Sequence, residues 1–367
     1  MTKLLDISED TTAFPWANRT PWSGLQAVIA VMLALVIGRV TGHASAGAIA
    51  AGAAFTVGFA VFHAALASTL LSMAVTTVGM ASATLAGSLG APWTGVVLVL
   101  VVVAAVNYGL LAGLGPTEGW IGQQCGVFLV VASYFPRGPH YALGRAGMVL
   151  AGGGLQMVVF AIAFLVGRRG ARRADPLPLR RVPGRLRELQ LLLYKELKGG
   201  ETSEYVARLA LTLLVSTAIY RVFKVRNGYW IPMTALLVLK PQWGHTLSRG
   251  IARLVGTLLG AGIALGLARL LPFPTWVLMG LVAGSAWACY ALQAVNYATF
   301  SVFITLYIVF LFRFGGFSET AAAHIRLANT AMGGGLALLI DAVWGAVRRR
   351  RIAEGMKQNV VASDSVQ

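Results

Sequence analysis

Charge is scarce in this chain. Only 12% of its 367 residues are Asp, Glu, Lys or Arg, about half the share of a soluble domain. Acids are scarcer still, 13 against 30 Lys and Arg. A water-exposed enzyme surface cannot be built from this composition. Cysteine is nearly absent. Cys125 and Cys289 each lie inside an apolar run, so neither a disulfide framework nor a cysteine metal site is expected. Catalytic patterns are missing too. There is no Walker loop ending in GK[ST], no HExxH, no GxSxG and no convincing pair of catalytic carboxylates. The chain therefore reads as a non-enzyme with no cofactor and no metal, and any active transport must draw on an ion gradient. The polar, acidic start, MTKLLDISEDTTAFPW, puts no basic stretch before an apolar one, unlike a cleavable signal peptide.

What remains is apolar: 57% hydrophobic residues and 43 glycines. The apolar runs cover 24–41, 46–63, 66–90, 93–114, 121–136 and 143–167, then 205–223, 228–240, 246–271, 274–291, 296–313 and 321–347. They do not alternate as barrel strands would. The fold class is all-α: a polytopic integral membrane protein of about twelve helices in two groups of six. The chain divides into a polar segment 1–20, a first membrane half 21–167, a basic linker 168–204, a second half 205–347 and a basic tail 348–367. Pro176, Pro178 and Pro183 open the linker and forbid a continuous helix there; RLRELQLLLYKELK after them suits an amphipathic surface helix. The net charge of +17 would ordinarily suggest nucleic acid. The cations instead gather in the linker, the tail and short loops, the pattern of membrane topology and anionic lipid contact, not of a nucleic-acid face. Linker, tail and N-terminus are thus expected on the cytosolic side. Arg221, Lys224 and Arg226 would then fall outside, against the rule.

The halves look duplicated. TLLSMAVTTVG at 69–79 aligns with TLSRGIARLVG at 246–256, and Arg145 and Arg326 each stand seven residues before a GGGL block, at 152–155 and 333–336. An even number of helices per half makes the repeats parallel, related by an axis along the membrane normal. Each repeated Arg is read as structural, at a helix start. The glycine runs are read as sites of close helix contact.

The second half carries the chemistry. In NGYWIPMTALLVLKPQWGHTLSRGIARLVGTLLGAGIAL, residues 227–265, the first helix is short, about 13 residues from Gly228 to Lys240. Pro232 lies within it and Lys240-Pro241 ends it, as in the discontinuous helices of transporters. His245, Arg249 and Arg253 then recur every four residues, which puts them on one helix face. The first half has Ser68, Ser72 and Thr76 there, and His63 where the second has Lys240. The ordinary role of such cations is to reach for lipid headgroups. Arg253, two turns in, must instead face protein, water or an anion. The functional reading is a cationic vestibule for an anionic substrate: Lys240, His245, Arg249 and Arg253 bind it, and Tyr229 and Trp230 either stack on a flat ring or anchor the interface. Asp341 is the one carboxylate well inside an apolar run; it is either half of a structural ion pair or a proton-coupling group. Asn296, Tyr297 and Asn329 are polar wall candidates, and Asn296 is also read as a structural polar residue.

Tyr229, Trp230, Pro232, Thr234, Pro241, Thr246, Arg249, Arg253, Gly256, Thr257 and Gly260 together resemble the fusaric acid resistance protein-like family, and the segment around Arg326 and Gly333 fits its last helix. The likeness covers mainly 205–347. It implies an inner-membrane exporter or channel for organic anions, since the family includes bacterial exporters of aromatic carboxylic acids and is similar to the plant aluminium-activated malate channels. Some members work with a periplasmic adaptor, and a homo-oligomer is open. The large cytosolic domains of many members are reduced here to the linker and tail. Two alternatives stand beside gradient-driven export: a passive anion channel and a non-transport scaffold of the cell envelope.

Overall fold

The apolar runs become α-helices for a simple reason: in hydrocarbon a backbone must satisfy its own polar groups. The computed structural model describes residues 13–63, 68–135, 138–167, 200–270, 274–316 and 319–364, with isolated positions between 184 and 195. Most of the linker, including its expected surface helix, and residues 1–12 lie outside the described residues.

Twelve helices are described. The first six are α1 Pro21–Val40, α2 Ala44–Gly58, α3 Thr69–Gly90, α4 Thr94–Leu114, α5 Pro116–Ala132 and α6 Pro139–Gly167. The second six are α7 Gly200–Val222, α8 Trp230–Val238, α9 Trp243–Leu270, α10 Thr275–Leu292, α11 Tyr297–Phe314 and α12 Glu319–Asp364. Ten spans are long and apolar enough to cross a membrane. The other two helices are α5, with 17 residues, and α8, with 9. The protein is a polytopic membrane protein. Helix α12 runs on through Asp364, well into the stretch read as a tail, because RRRRIAEGMKQ holds no proline to stop it.

The duplication is visible in the packing. In each half the third helix packs on the fifth and sixth, the second on the sixth, and the fourth on the fifth. Between halves the pairings are exchanged: α4 lies along α7 as α10 lies along α1, and α5 meets α8 as α11 meets α2. Reciprocal exchange of this kind is what a two-fold relation produces. It also mixes the cores. One draws on α1, α2, α10 and α11, the other on α4, α5, α7 and α8, so neither half closes without its partner.

The GGGL blocks serve this packing. A side chain on Gly152 would run into the backbone of Ala50 in α2, and one on Gly333 into Ile231 in α8. These two contacts are repeat equivalents. Gly152→Val or Gly333→Val is expected to cost about 1–3 kcal/mol through overpacking, read as a fall of several degrees in the melting temperature of the detergent-purified protein. Gly154→Ala, which would meet nothing within 4 Å, should leave it unchanged.

One of the cations that broke the charge rule, Arg221, has a structural use. Arg221 donates to the carbonyls of Ala91 at 2.9 Å and Ser133 at 2.7 Å, the residues that close α3 and α5. A guanidinium there meets the negative ends of two helix dipoles.

Candidate functional site

The site is built around two interrupted helices. Pro232 stands in the first turn of α8, where its missing N–H costs nothing. Pro241 prevents the helix from continuing, and Leu239 is already extended. A helix that stops at membrane depth leaves carbonyls that water cannot reach, and side chains take them. The amide of Lys240 is diverted to the Thr246 hydroxyl, which frees the Leu236 carbonyl for Gln123 Nε2 at 3.3 Å. Tyr205 Oη donates to Leu239 at 3.2 Å and Arg208 Nη2 to Pro241 at 2.7 Å. The first half does the same in miniature. Helix α2 tightens into a 3-10 turn at Phe59–Phe62, and Tyr290 Oη takes the Phe55 carbonyl at 2.6 Å. Phe55 is the repeat equivalent of Leu236, so each broken helix is capped from the opposite half.

Between these helices lies a cavity of about 830 Å³. Its walls include the ends of helices from both sides of the bundle: His63, Pro116, Lys240 and Tyr297 at one, Phe135, Tyr141, Tyr229 and Gly315 at the other. Lys240, Arg249, Arg253 and Arg145 line it, together with many aromatic rings and no Asp or Glu among the lining residues. Lys240 Nζ donates to Tyr108 Oη at 3.0 Å, and Gln123 Nε2 to the same oxygen at 3.2 Å. The Arg249 guanidinium stacks over Tyr297 at 4.4 Å and is itself exposed, at the mouth. Arg253 is only 3% exposed, and its Nε has no hydrogen-bond partner.

The equivalent first-half wall carries no such charge. Ser72 and Thr76 turn their hydroxyls back to Ser68 and Ser72 carbonyls at 2.9 and 2.7 Å. His63 stacks on Trp120 at 4.8 Å, and burial lowers its imidazole pKa below the ordinary value, which favours the neutral form. A near-symmetric scaffold thus carries the cationic stripe in one half only.

The structure brings Tyr229, Trp230, Lys240, Arg249 and Arg253 to one cavity, and adds Arg145, read from sequence as structural. His245 is exposed and is not among the lining residues. Asn296 caps α11, accepting from Ala298 and Thr299 amides at 2.9 and 3.1 Å. Asn329 donates to the Arg226 and Asn227 carbonyls at 3.1 and 3.0 Å, holding the turn before α8. Asp341 is buried off the cavity wall, in an ion pair with Arg208. Arg326 is buried behind Trp230, its guanidinium 4.2 Å from the ring centroid. Sequence reasoning missed Arg208, Tyr108 and Gln123. Only Arg208 gave a signal, as a lone cation in an apolar run that has to find the lone carboxylate.

Residues 214–340 match the fusaric acid resistance protein-like family. That span runs from α7 into α12 and contains α8, the cationic stripe and Arg326. Among similar proteins, an uncharacterized protein of Haemophilus influenzae is 33% identical over 132 residues, 35% of this chain and 18% of that protein. The inner membrane protein YccS of Escherichia coli is 30% identical over 143 residues, 39% of this chain and 19% of YccS. Uncharacterized protein ORF2 of Neisseria gonorrhoeae is 27% identical over 143 residues, 33% of its length. The matched stretches thus span a fifth to a third of these relatives. No solved structure matches the chain.

Proposed function

We propose that the chain exports small organic anions, aromatic carboxylates foremost, across the bacterial inner membrane at the expense of an ion gradient. The observation that carries this reading is Arg253: a buried guanidinium without a hydrogen-bond partner at Nε, in the wall of an aromatic cavity lined by cations and no carboxylate. A buried cation with an unsatisfied donor at membrane depth is costly, and a bound carboxylate would offset that cost with charge-assisted N–H···O bonds. Low-dielectric walls focus the field of Lys240 and Arg249 and raise the anion concentration at the mouth. The rings of Tyr229, Trp230 and Tyr297 offer faces to a flat substrate. Release demands that binding stay moderate, which suits cations already engaged with Tyr108 and Tyr297. The relative named an inner membrane protein supports the location, and the positive-inside pattern supports cytosolic termini.

Asp341 is the coupling group in this reading. Its partner Arg208 also holds the Pro241 carbonyl. Protonating the carboxylate would release Arg208 and loosen the break that carries Lys240.

The test is Arg253→Gln in liposomes holding the purified chain, with radiolabelled benzoate as probe. Benzoate flux is expected to fall at least tenfold, since about 1.4 kcal/mol separates each decade. Unchanged flux from equal amounts of folded protein would remove Arg253 from the pathway. Flux that persists without any ion gradient would favour the passive channel.

A further inference from the structure

Arg326 is harder to explain than Arg253. It is 1% exposed, among the largest fully buried side chains. Its Nε, Nη1 and Nη2 all lack a hydrogen-bond partner. Its guanidinium lies against the face of Trp230, at 4.2 Å from the ring centroid. Five unpaired donors on a buried cation are a structural loss unless an acceptor visits them. A merely structural arginine would be expected to bond carbonyls, as Arg221 does.

Trp230 is what separates this guanidinium from the cavity, because the Trp230 ring lines the cavity and Arg326 does not. Arg253 lies close enough to act on Arg326 electrostatically. Two cations that repel one another are most easily reconciled by an anion shared between them or passed from one to the other. The repeat gives an internal comparison. Arg145, the equivalent of Arg326, lines the cavity directly, and Ile49 stands where the second half has Trp230. The covered arginine is thus a feature of one half alone.

We propose that Arg326 is a second carboxylate station, reached from Arg253 when the Trp230 ring turns aside. The substrate's carboxylate leaves the open cavity for an occluded position during each transport cycle, and the indole serves as lid and as stacking face for an aromatic ring. This rests on the reading of the cavity as an anion pathway.

The experiment uses the full chain, radiolabelled benzoate and five variants. In liposomes, Arg326→Gln is expected to lower maximal benzoate turnover at least tenfold. Equilibrium benzoate binding to the detergent-purified protein should stay within about threefold, because Arg253 is intact. Arg326→Lys, which keeps the charge, should recover part of the turnover. Trp230→Ala, with the lid gone, should bind a second benzoate per chain, and the double variant Trp230→Ala/Arg326→Gln should lose it. Wild-type turnover in folded Arg326→Gln overturns the proposal, as does a single benzoate on Trp230→Ala. If Arg326→Gln does not fold, the stoichiometry of Trp230→Ala decides alone, and a second benzoate that survives in the double variant counts against Arg326. A wild type that carries no benzoate, or an Arg253→Gln variant with undiminished flux, brings down the cavity reading itself. Wild-type flux lost in Arg253→Gln but kept in Arg326→Gln brings down only the second station.

Discussion

Replacing Asp341 with alanine is expected to destabilise the protein by about 3–5 kcal/mol, the usual consequence of stripping one partner from a buried ion pair. Asp341 is 2% and Arg208 9% exposed, and Asp341 Oδ2 has no hydrogen-bond partner. Without the carboxylate, the Arg208 cation is left uncompensated at the end of α8, where it also supports Pro241. The detergent-purified variant should lose much of its monodisperse peak and melt well below the parent. The double variant Arg208→Met/Asp341→Leu removes both charges and should recover most of the stability, since apolar replacement of a buried pair is often neutral or better. That variant also separates the two roles open to Asp341. If it folds and still shows gradient-driven benzoate uptake, the pair is structural only. If it folds, exchanges benzoate across the membrane and no longer responds to a proton gradient, Asp341 couples the cycle.

The fold was legible because hydrocarbon leaves a backbone few choices. Long apolar runs had to be helices, and the proline pair around α8 had to shorten that helix. The duplication was legible from two short matches, because the residues that repeat, Gly152 with Gly333 and Gly79 with Gly256, sit where helices touch and a side chain would collide. Spacing alone grouped His245, Arg249 and Arg253, of which the structure brings Arg249 and Arg253 to the cavity and leaves His245 exposed off its wall. What could not be read was everything decided between helices. Nothing near Gln123 or Tyr205 announces that they satisfy carbonyls more than a hundred and about thirty residues away in α8. The opposite wall of the cavity is equally silent, since an aromatic in a membrane helix looks the same whether it meets lipid, core or substrate. Asn296, read both as structural and as a wall candidate, takes the structural part: at a helix start a polar side chain turns back to local amides before it serves any ligand.

Reversing the charge of the stripe should have the largest effect on transport. With Arg249→Glu/Arg253→Glu, two positive groups on the cavity wall become two negative ones. At an effective dielectric near 20 and a separation near 6 Å, a single unit charge pair is worth about 3 kcal/mol, so even one of these reversals turns a gain of that order into an equal cost for a carboxylate. Benzoate flux is expected to fall by at least two to three orders of magnitude, to the level of empty liposomes. Lys240 would remain, and with it a new carboxylate could settle into an internal pair; for this reason the fold should tolerate the change better than the loss of Asp341, and gel-filtration behaviour should stay near that of the parent. Benzylamine, of similar shape and opposite charge, discriminates further. A gain in benzylamine flux alongside the loss of benzoate would tie selectivity to the sign of the field at these two positions. Unaltered benzoate flux would mean that anions, if they cross at all, do so along a surface other than this cavity.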